Sequence, residues 1–133
     1  MPTPYIDGPL TAPTVNPENT AFWEGASAHK LMLRFCTNCD KPHWYPRALC
    51  PFCMSETTWR EASGRGHIYS FSVTRRAGPQ AFCIAYVRLE EGTTMMSNIV
   101  DCDLDEVHIG QAVQAVFKPT EEGAPPVPMF KPI

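Results

Sequence analysis

The stretch Cys36-Thr37-Asn38-Cys39-Asp40-Lys41-Pro42-His43-Trp44-Tyr45-Pro46-Arg47-Ala48-Leu49-Cys50-Pro51-Phe52-Cys53 decides how this chain is read. Its four cysteines fall as two C-x2-C pairs separated by ten residues. Each pair forms a tight knuckle that aims two thiolates at one point. Two facing knuckles make a closed tetrahedral S4 site, the usual structural zinc arrangement. With Cys36, Cys39, Cys50 and Cys53 filling all four positions, no coordination site is left for water or substrate, so the metal is expected to be structural. Iron accepts the same ligand set. The residue after the second cysteine of each knuckle, Asp40 or Met54, is expected in the left-handed region, which Asp tolerates better than Met. Two disulfides or a thioredoxin-like redox pair are the alternatives, and a reducing compartment together with the lack of a βαβ pattern disfavours both.

That compartment is read from the N-terminus. Residues 1–8 lack the basic start and apolar run of a signal peptide. No segment approaches the roughly 18 apolar residues of a membrane span. The expected setting is cytoplasmic, away from membranes, where thiols stay reduced. Cys83 lies in an apolar run and reads as a buried small hydrophobe, whereas Cys102 sits in an acidic loop without an evident partner.

Working outward, residues 1–16 form a proline-rich arm, with Pro2, Pro4, Pro9 and Pro13, expected to be extended and mobile or to drape over a partner. Residues 17–30 hold a docking helix. Asn16-Pro17-Glu18 supplies an N-cap, a first-turn proline and an early acid, and predicts a helix from about Pro17 to Ala28 with Phe22, Trp23 and Ala26 as its apolar stripe. Residues 31–62 are the metal module, entered by a strand at Leu31–Phe35 and left by a short returning strand at Thr57–Arg60.

Residues 63–133 read as β throughout. His67, Tyr69, Phe71 and Val73 alternate with Ile68, Ser70, Ser72 and Thr74, the pattern of a half-buried strand. A turn follows at Gly78-Pro79. Ala81–Leu89 is apolar on both faces, as in a central strand. Glu90–Thr93 is a hairpin turn into a strand at Thr94–Val100. An acidic loop, 101–106, with room for a helical turn, precedes a strand at Ala112–Phe117. Val127–Phe130 reads as an edge segment, because proline cannot donate to a ladder. The fold class is therefore mainly β: a short helix, a zinc ribbon, then five strands that suit an OB-fold barrel, with a β-sandwich fragment as the alternative. Gly64-Arg65-Gly66 is too short for a phosphate loop and is expected to let the first barrel strand bend.

The hydrophobic fraction, 44%, supports a packed core and argues against disorder. The net charge of −3 argues weakly against a nucleic-acid binder. The distribution says more. Residues 30–88 carry nine of the eleven Lys and Arg against Asp40, Glu56 and Glu61, a formal +6, while the remainder stands at −9. A basic middle suits phosphate groups or an acidic protein face, or simply solubility.

Trp44, Tyr45 and Arg47 lie between the knuckles, where aromatics either stack on a ligand or supply the small core of the ribbon, the second being favoured. Arg75 and Arg76 end a strand at the expected barrel mouth, where they either contact a ligand or belong to a solvated turn, the second being favoured. His67 has no carboxylate or nucleophile nearby in sequence, and no hydrolase, metalloprotease, Walker or dinucleotide motif occurs.

In order along the chain, Phe22-Trp23, Leu31–Phe35, the first C-x2-C, Tyr45-Pro46-Arg47-x2-Cys50-Pro51-x-Cys53, Trp59, Ser63–Gly66, Ile68–Phe71, Leu89–Gly92, Met96–Ile99, Ile109-Gly110-x2-Val113 and Pro128-x-Phe130-x-Pro132 together resemble one family. Its members are small proteins with a rubredoxin-like zinc ribbon followed by an OB-fold, long catalogued as a domain of unknown function. The resemblance covers about residues 20–132. It implies association with thiolase-like enzymes that make or break carbon–carbon bonds in acyl-CoA substrates, in archaeal thiolase complexes, steroid side-chain aldolases and thiolases of aromatic degradation. There the catalytic residues belong to the larger thiolase-fold subunit. The expectation is a non-catalytic, zinc-binding accessory subunit, with a coenzyme A thioester as ligand of the complex and Arg47, Arg75 and Arg76 as contacts to its phosphates. A zinc-ribbon/OB-fold nucleic-acid binding module is the rival, and a stand-alone acyl-binding enzyme or hydrolase the third reading.

Overall fold

The structure, a computed structural model, describes residues 2–75 and 80–133. The Gly78-Pro79 turn and Arg76 lie outside the described residues. The Asn16 side-chain oxygen accepts from the backbone N–H groups of Glu18 and Asn19, each at 3.0 Å, and the Asn19 side chain accepts from the Asn16 N–H at 2.8 Å. This reciprocal turn consumes residues 16–19. Helix α1 (Thr20–Ser27) therefore starts later than the Pro17 start read from sequence, and Asn19 rather than Asn16 precedes its first residue. Phe22 and Ala26 are buried, one turn apart on the inner face.

Strands β1 (Met32–Cys36), β2 (Pro42–His43) and β3 (Thr57–Glu61) form an antiparallel sheet in the order β2-β1-β3. The two-residue β2 has no counterpart in the sequence reading, since two residues carry no periodicity. A small hydrophobic ribbon is reinforced here by cations on rings. The guanidinium of Arg34 lies 4.6 Å from the Trp59 ring centroid, and that of Arg60 lies 4.2 Å from that of Phe35.

Strands β4 (Arg65–Thr74), β5 (Phe82–Leu89), β6 (Thr94–Ile99), β7 (Ala112–Lys118) and β8 (Val127–Pro132) close a barrel in the order β4-β5-β6-β8-β7. A 3-10 turn at Leu104–Glu106 sits between β6 and β7. This is the OB-fold. Strand β8 corrects the edge reading: it runs antiparallel to β7 over six registered pairs and meets β6 in parallel at Ile99 and Phe130. Successive residues of a strand offer their polar groups to opposite neighbours. The carbonyl of Phe130 accepts from Val100 on the β6 side, at 2.8 Å. Pro128 and Pro132 share that side, so the donors they lack are missing from the sparse β6 seam while the β7 ladder stays intact. Ser97 repairs the seam with a hydroxyl donated to the Pro128 carbonyl, at 3.1 Å.

In β4 the simple alternation is broken. The pairing register shifts between Ile68 and Ser70, leaving Tyr69 as the extra residue of a bulge. Ile68 pairs with Val87 and is buried, whereas Ser70 pairs with Tyr86, an outward residue. Beyond the bulge Phe71 and Val73 align with the buried Ala85 and Cys83. Tyr69 is thereby turned outward, 57% exposed, with the Arg88 guanidinium 5.5 Å from its ring. Strand β5 is central by pairing, as its apolar faces suggest, but only one face is covered: Cys83, Ala85, Val87 and Leu89 are buried while Ile84 and Tyr86 are exposed.

Residues 3–7 of the arm are latched to the chain's own barrel, unlike the mobile or partner-draped arm of the sequence reading. The Thr3 N–H and hydroxyl donate to the carboxylates of Asp103 and Asp105, at 2.8 and 2.7 Å. The Tyr5 N–H donates to the Cys102 carbonyl at 2.9 Å, and Lys118 bridges Asp7 and Asp101 at 2.9 and 2.6 Å. The acidic loop thus has partners inside the molecule.

One continuous core joins Phe22 of the helix, Leu31, Leu33 and Phe35 of the ribbon entry, and Ile68, Leu89, Ile99, Val113 and Phe130 of the barrel. Gly66 marks the closest backbone approach. A Cβ there would stand 2.4 Å from the Arg88 carbonyl oxygen of β5. Gly66→Ala is expected to lower stability by about 1–3 kcal/mol through overpacking, measured by urea denaturation, whereas Gly92→Ala, with open space around its Cβ but φ at +104°, tests backbone strain alone.

Candidate metal centre

The two knuckles are built alike. The N–H groups of Asn38 and Cys39 donate to the Cys36 sulfur, each at 3.3 Å, and the Phe52 N–H donates to the Cys50 sulfur at 3.3 Å. Asp40 and Met54 then turn the chain with φ of 57° and 66°, closing N–H bonds to the Cys36 and Cys50 carbonyls at 3.1 and 2.9 Å. Both residues expected in the left-handed region adopt it. Arg60 pairs with Asp40, bracing the first knuckle against β3.

The ligand atoms of Cys36, Cys39, Cys50 and Cys53 all lie within 4.8 Å of one another. Cys36 and Cys53 sulfurs are 3.4 Å apart, and those of Cys39 and Cys50 are 3.8 Å apart. The edge of a tetrahedron with metal–sulfur bonds of about 2.3 Å is about 3.8 Å, whereas a disulfide needs about 2.05 Å. All four thiols are free. The arrangement fits a four-coordinate dication and not the disulfide alternative. Hydrogen bonds from the side chain and backbone of Ser55 hold the Cys53 thiol down to about 6. At Cys39 the backbone bond from Lys41 lowers the thiol, but burial and its three sulfur neighbours prevail and lift it to about 11. Thiolates this close are favoured together only around a cation. Cys36 and Cys50 are fully buried while Cys53 is exposed, so the centre has a wet side and a dry side.

His43, to which the sequence assigns no role, organises the segment between the knuckles. It is 3% exposed, and its Nε2 accepts the Arg47 N–H at 3.1 Å, which requires the neutral ring with its proton on Nδ1. Burial pushes its pKa below the ordinary value. This bond fixes the turn that carries Trp44, Tyr45 and Arg47. Trp44 packs half-buried against Phe22, ring centroids 5.3 Å apart, as the favoured core reading has it, whereas Tyr45 is 50% exposed. Together with α1 and strands β6 and β8 they bound an apolar cleft of about 350 Å³.

Of the three arginines singled out from sequence, the structure describes Arg47 and Arg75. Arg47 lines a recess over the second knuckle. Arg75, at the end of β4, donates to Asp105 at 2.6 and 3.1 Å, so its charge is matched within the molecule. Arg76 lies outside the described residues. Cys83 is buried as expected, and burial raises its thiol to about 11. No helix among the described residues is long and apolar enough to cross a membrane.

Two family models match in tandem. That of the ChsH2 rubredoxin-like zinc ribbon domain covers residues 23–59, and that of the ChsH2 C-terminal OB-fold domain covers residues 59–118. A DUF35 domain-containing scaffold protein of Methanocaldococcus jannaschii is 38% identical over 95 residues, 65% of this chain and 67% of that protein. A probable enoyl-CoA hydratase alpha subunit of Thermomonospora curvata is 32% identical over 106 residues, 76% of this chain but only 33% of that protein, so the chain spans about one third of it. Among solved structures, one described as an Ltp2-ChsH2(DUF35) aldolase superposes with a TM-score of 0.78 at 29% identity, covering 90% of this chain and 98% of that chain.

Two outcomes are expected. Purified protein should carry one zinc per chain by elemental analysis, and Cys50→Ser should lose it and melt at lower temperature. For His43, the folded state binds the ring proton more weakly than the unfolded chain does. Its contribution to stability is therefore complete above about pH 6.5 and declines as pH falls below that value. Denaturation curves from pH 8 to pH 5 should show this slope, reduced in His43→Ala.

Proposed function

The chain belongs to the ChsH2-type family of rubredoxin-like zinc ribbon and OB-fold proteins, the DUF35 proteins, and from that membership we propose that it is a non-catalytic, zinc-binding accessory subunit of a thiolase-like enzyme acting on acyl-CoA thioesters. The observation that carries this reading is the closed centre: four protein sulfurs directed at one point, with no position for a reacting group. A structural zinc there orders the ribbon and supplies no chemistry to a substrate. The relatives' descriptions as scaffold protein, aldolase and CoA-hydratase subunit support the same assignment.

In this reading the partner is a thiolase-fold subunit and the complex carries out carbon–carbon bond cleavage or formation, as a thiolase or retro-aldolase. Arg47 is the proposed contact to coenzyme A phosphate. Arg75 takes that role only by exchanging Asp105 for phosphate, and Arg76 is proposed beside it. One observation favours the nucleic-acid rival: the exposed Tyr69 and Tyr86 flank Arg88 on the barrel face that OB-folds use for oligonucleotides.

Affinity purification of the tagged full chain from its native extract distinguishes the two. Near-stoichiometric recovery of a thiolase-fold acyl-CoA enzyme, and a rise in that enzyme's specific activity on adding the chain back, is the expected result. Salt-sensitive retention of single-stranded nucleic acid, with no acyl-CoA enzyme recovered, would overturn the proposal.

A further inference from the structure

The outer face of strands β4, β5 and β6 is apolar and uncovered. Tyr86 of β5 stands directly opposite Met96 of β6, and Ile84 opposite Asn98. The bulge in β4 adds Tyr69 to the same face. Ile84, Tyr86, Tyr69 and Met96 are 41%, 49%, 57% and 57% exposed. An aromatic side chain buries about 150–250 Å² when covered, so these four leave on the order of several hundred Å² of contiguous apolar surface in water. Monomeric proteins seldom leave so large a patch without a use for it. Met96 also rims the cleft beside Tyr45, which carries the apolar surface on towards the ribbon.

The chemistry of the face suits a folded protein. Its middle is neutral, with Ser70, Ser72 and Asn98 between the large side chains. Tyrosine and methionine with an arginine at the margin is the composition of interface cores and their rims. Arg88 is held by the Tyr69 ring and by the Thr94 hydroxyl, to which its Nε donates at 2.7 Å. Arg65 and His67 continue that margin, His67 directly opposite Arg88. None of the three forms an ion pair among the described residues. Glu90 lines the neighbouring recess together with Arg65, His67 and Arg88.

We propose that this β4–β5–β6 face, with Tyr86 and Met96 at its centre, seats the catalytic subunit of the complex, meeting an apolar surface bordered by acidic residues opposite Arg65 and Arg88. A standard interface takes about 800 Å² from each partner. The face and the adjoining cleft rim together supply the apolar core of such a contact. The second exposed apolar group, Leu49, Phe52 and Met54, lies on a metal knuckle rather than on a paired sheet, with Lys41 over the Phe52 ring, and serves as the control surface.

The inference rests on the accessory-subunit reading, and the test separates the two. The full-length zinc-loaded chain and variants Tyr86→Glu, Met96→Glu and Phe52→Glu are compared for equilibrium binding to the acyl-CoA enzyme recovered with the wild type. Zinc content and thermal unfolding establish that each variant is folded. Both Tyr86→Glu and Met96→Glu are expected to bind at least tenfold more weakly, Phe52→Glu within twofold of wild type, and Arg88→Glu with a weakened salt dependence. Folded Tyr86→Glu and Met96→Glu variants that bind like wild type would overturn the assignment of this face while leaving the accessory role intact. Should the wild type recover no acyl-CoA enzyme, the functional reading itself fails. A wild-type dimer that the two substitutions convert to monomer, or oligonucleotide binding that they abolish, would replace the proposed occupant with a second copy or a nucleic acid.

Discussion

Four thiolates brought to one point are the constraint on which this molecule depends. About thirty residues of ribbon hold too little apolar surface to fold by burial alone, and this one offers Leu31, Leu33 and Phe35 with Trp44, Trp59 and two ring-stacked arginines. Closing Cys36, Cys39, Cys50 and Cys53 around a dication replaces the missing core. That closure fixes β1, and β1 carries Leu33 and Phe35 into the same cluster as Ile68 and Leu89 of the barrel. Order at the metal is thereby passed to the barrel through packed side chains, and the helix follows because Phe22 packs against both parts.

The barrel meets a second constraint at its seam. Any closed sheet must pair its last strand on both sides. Here that strand contains two prolines. The parity of Pro128 and Pro132 sends their missing donors to the side where pairing is sparse, and Ser97 and Val100 supply bonds there instead. The single extra residue in β4 has an equally local cause and a larger effect. Because side chains alternate with period two, one inserted residue exchanges inside for outside. It leaves Tyr69 in the solvent beside Arg88 and brings Val73 against the core, with Phe71 still 37% exposed.

These features suit a rigid adaptor. The metal is sealed by protein ligands, the arm is bound to its own barrel by a network of carboxylates and one lysine, and a single core runs through helix, ribbon and sheet. Among the described residues, the exposed Ile84, Tyr86 and Met96 share one outer face of this barrel.

Much of this was legible in the residues themselves. The C-x2-C spacing, the left-handed positions at Asp40 and Met54, the hairpin at Glu90–Thr93 and the five β segments all follow from local chemistry, because knuckles, turns and strand alternation are set by neighbours a few positions apart. Tertiary structure alone decided the rest. Whether Val127–Phe130 lay at an edge or closed the barrel depended on strands met tens of residues away. Whether Tyr69 and Ser70 shared a side depended on a register shift that hydropathy does not record, and whether Ile84 and Tyr86 faced solvent depended on which face of β5 the core covered. Whether Arg75 was free depended on Asp105, thirty residues on. Short-range rules determine what each segment becomes; which of its faces is covered is settled only when distant segments compete for the same surface.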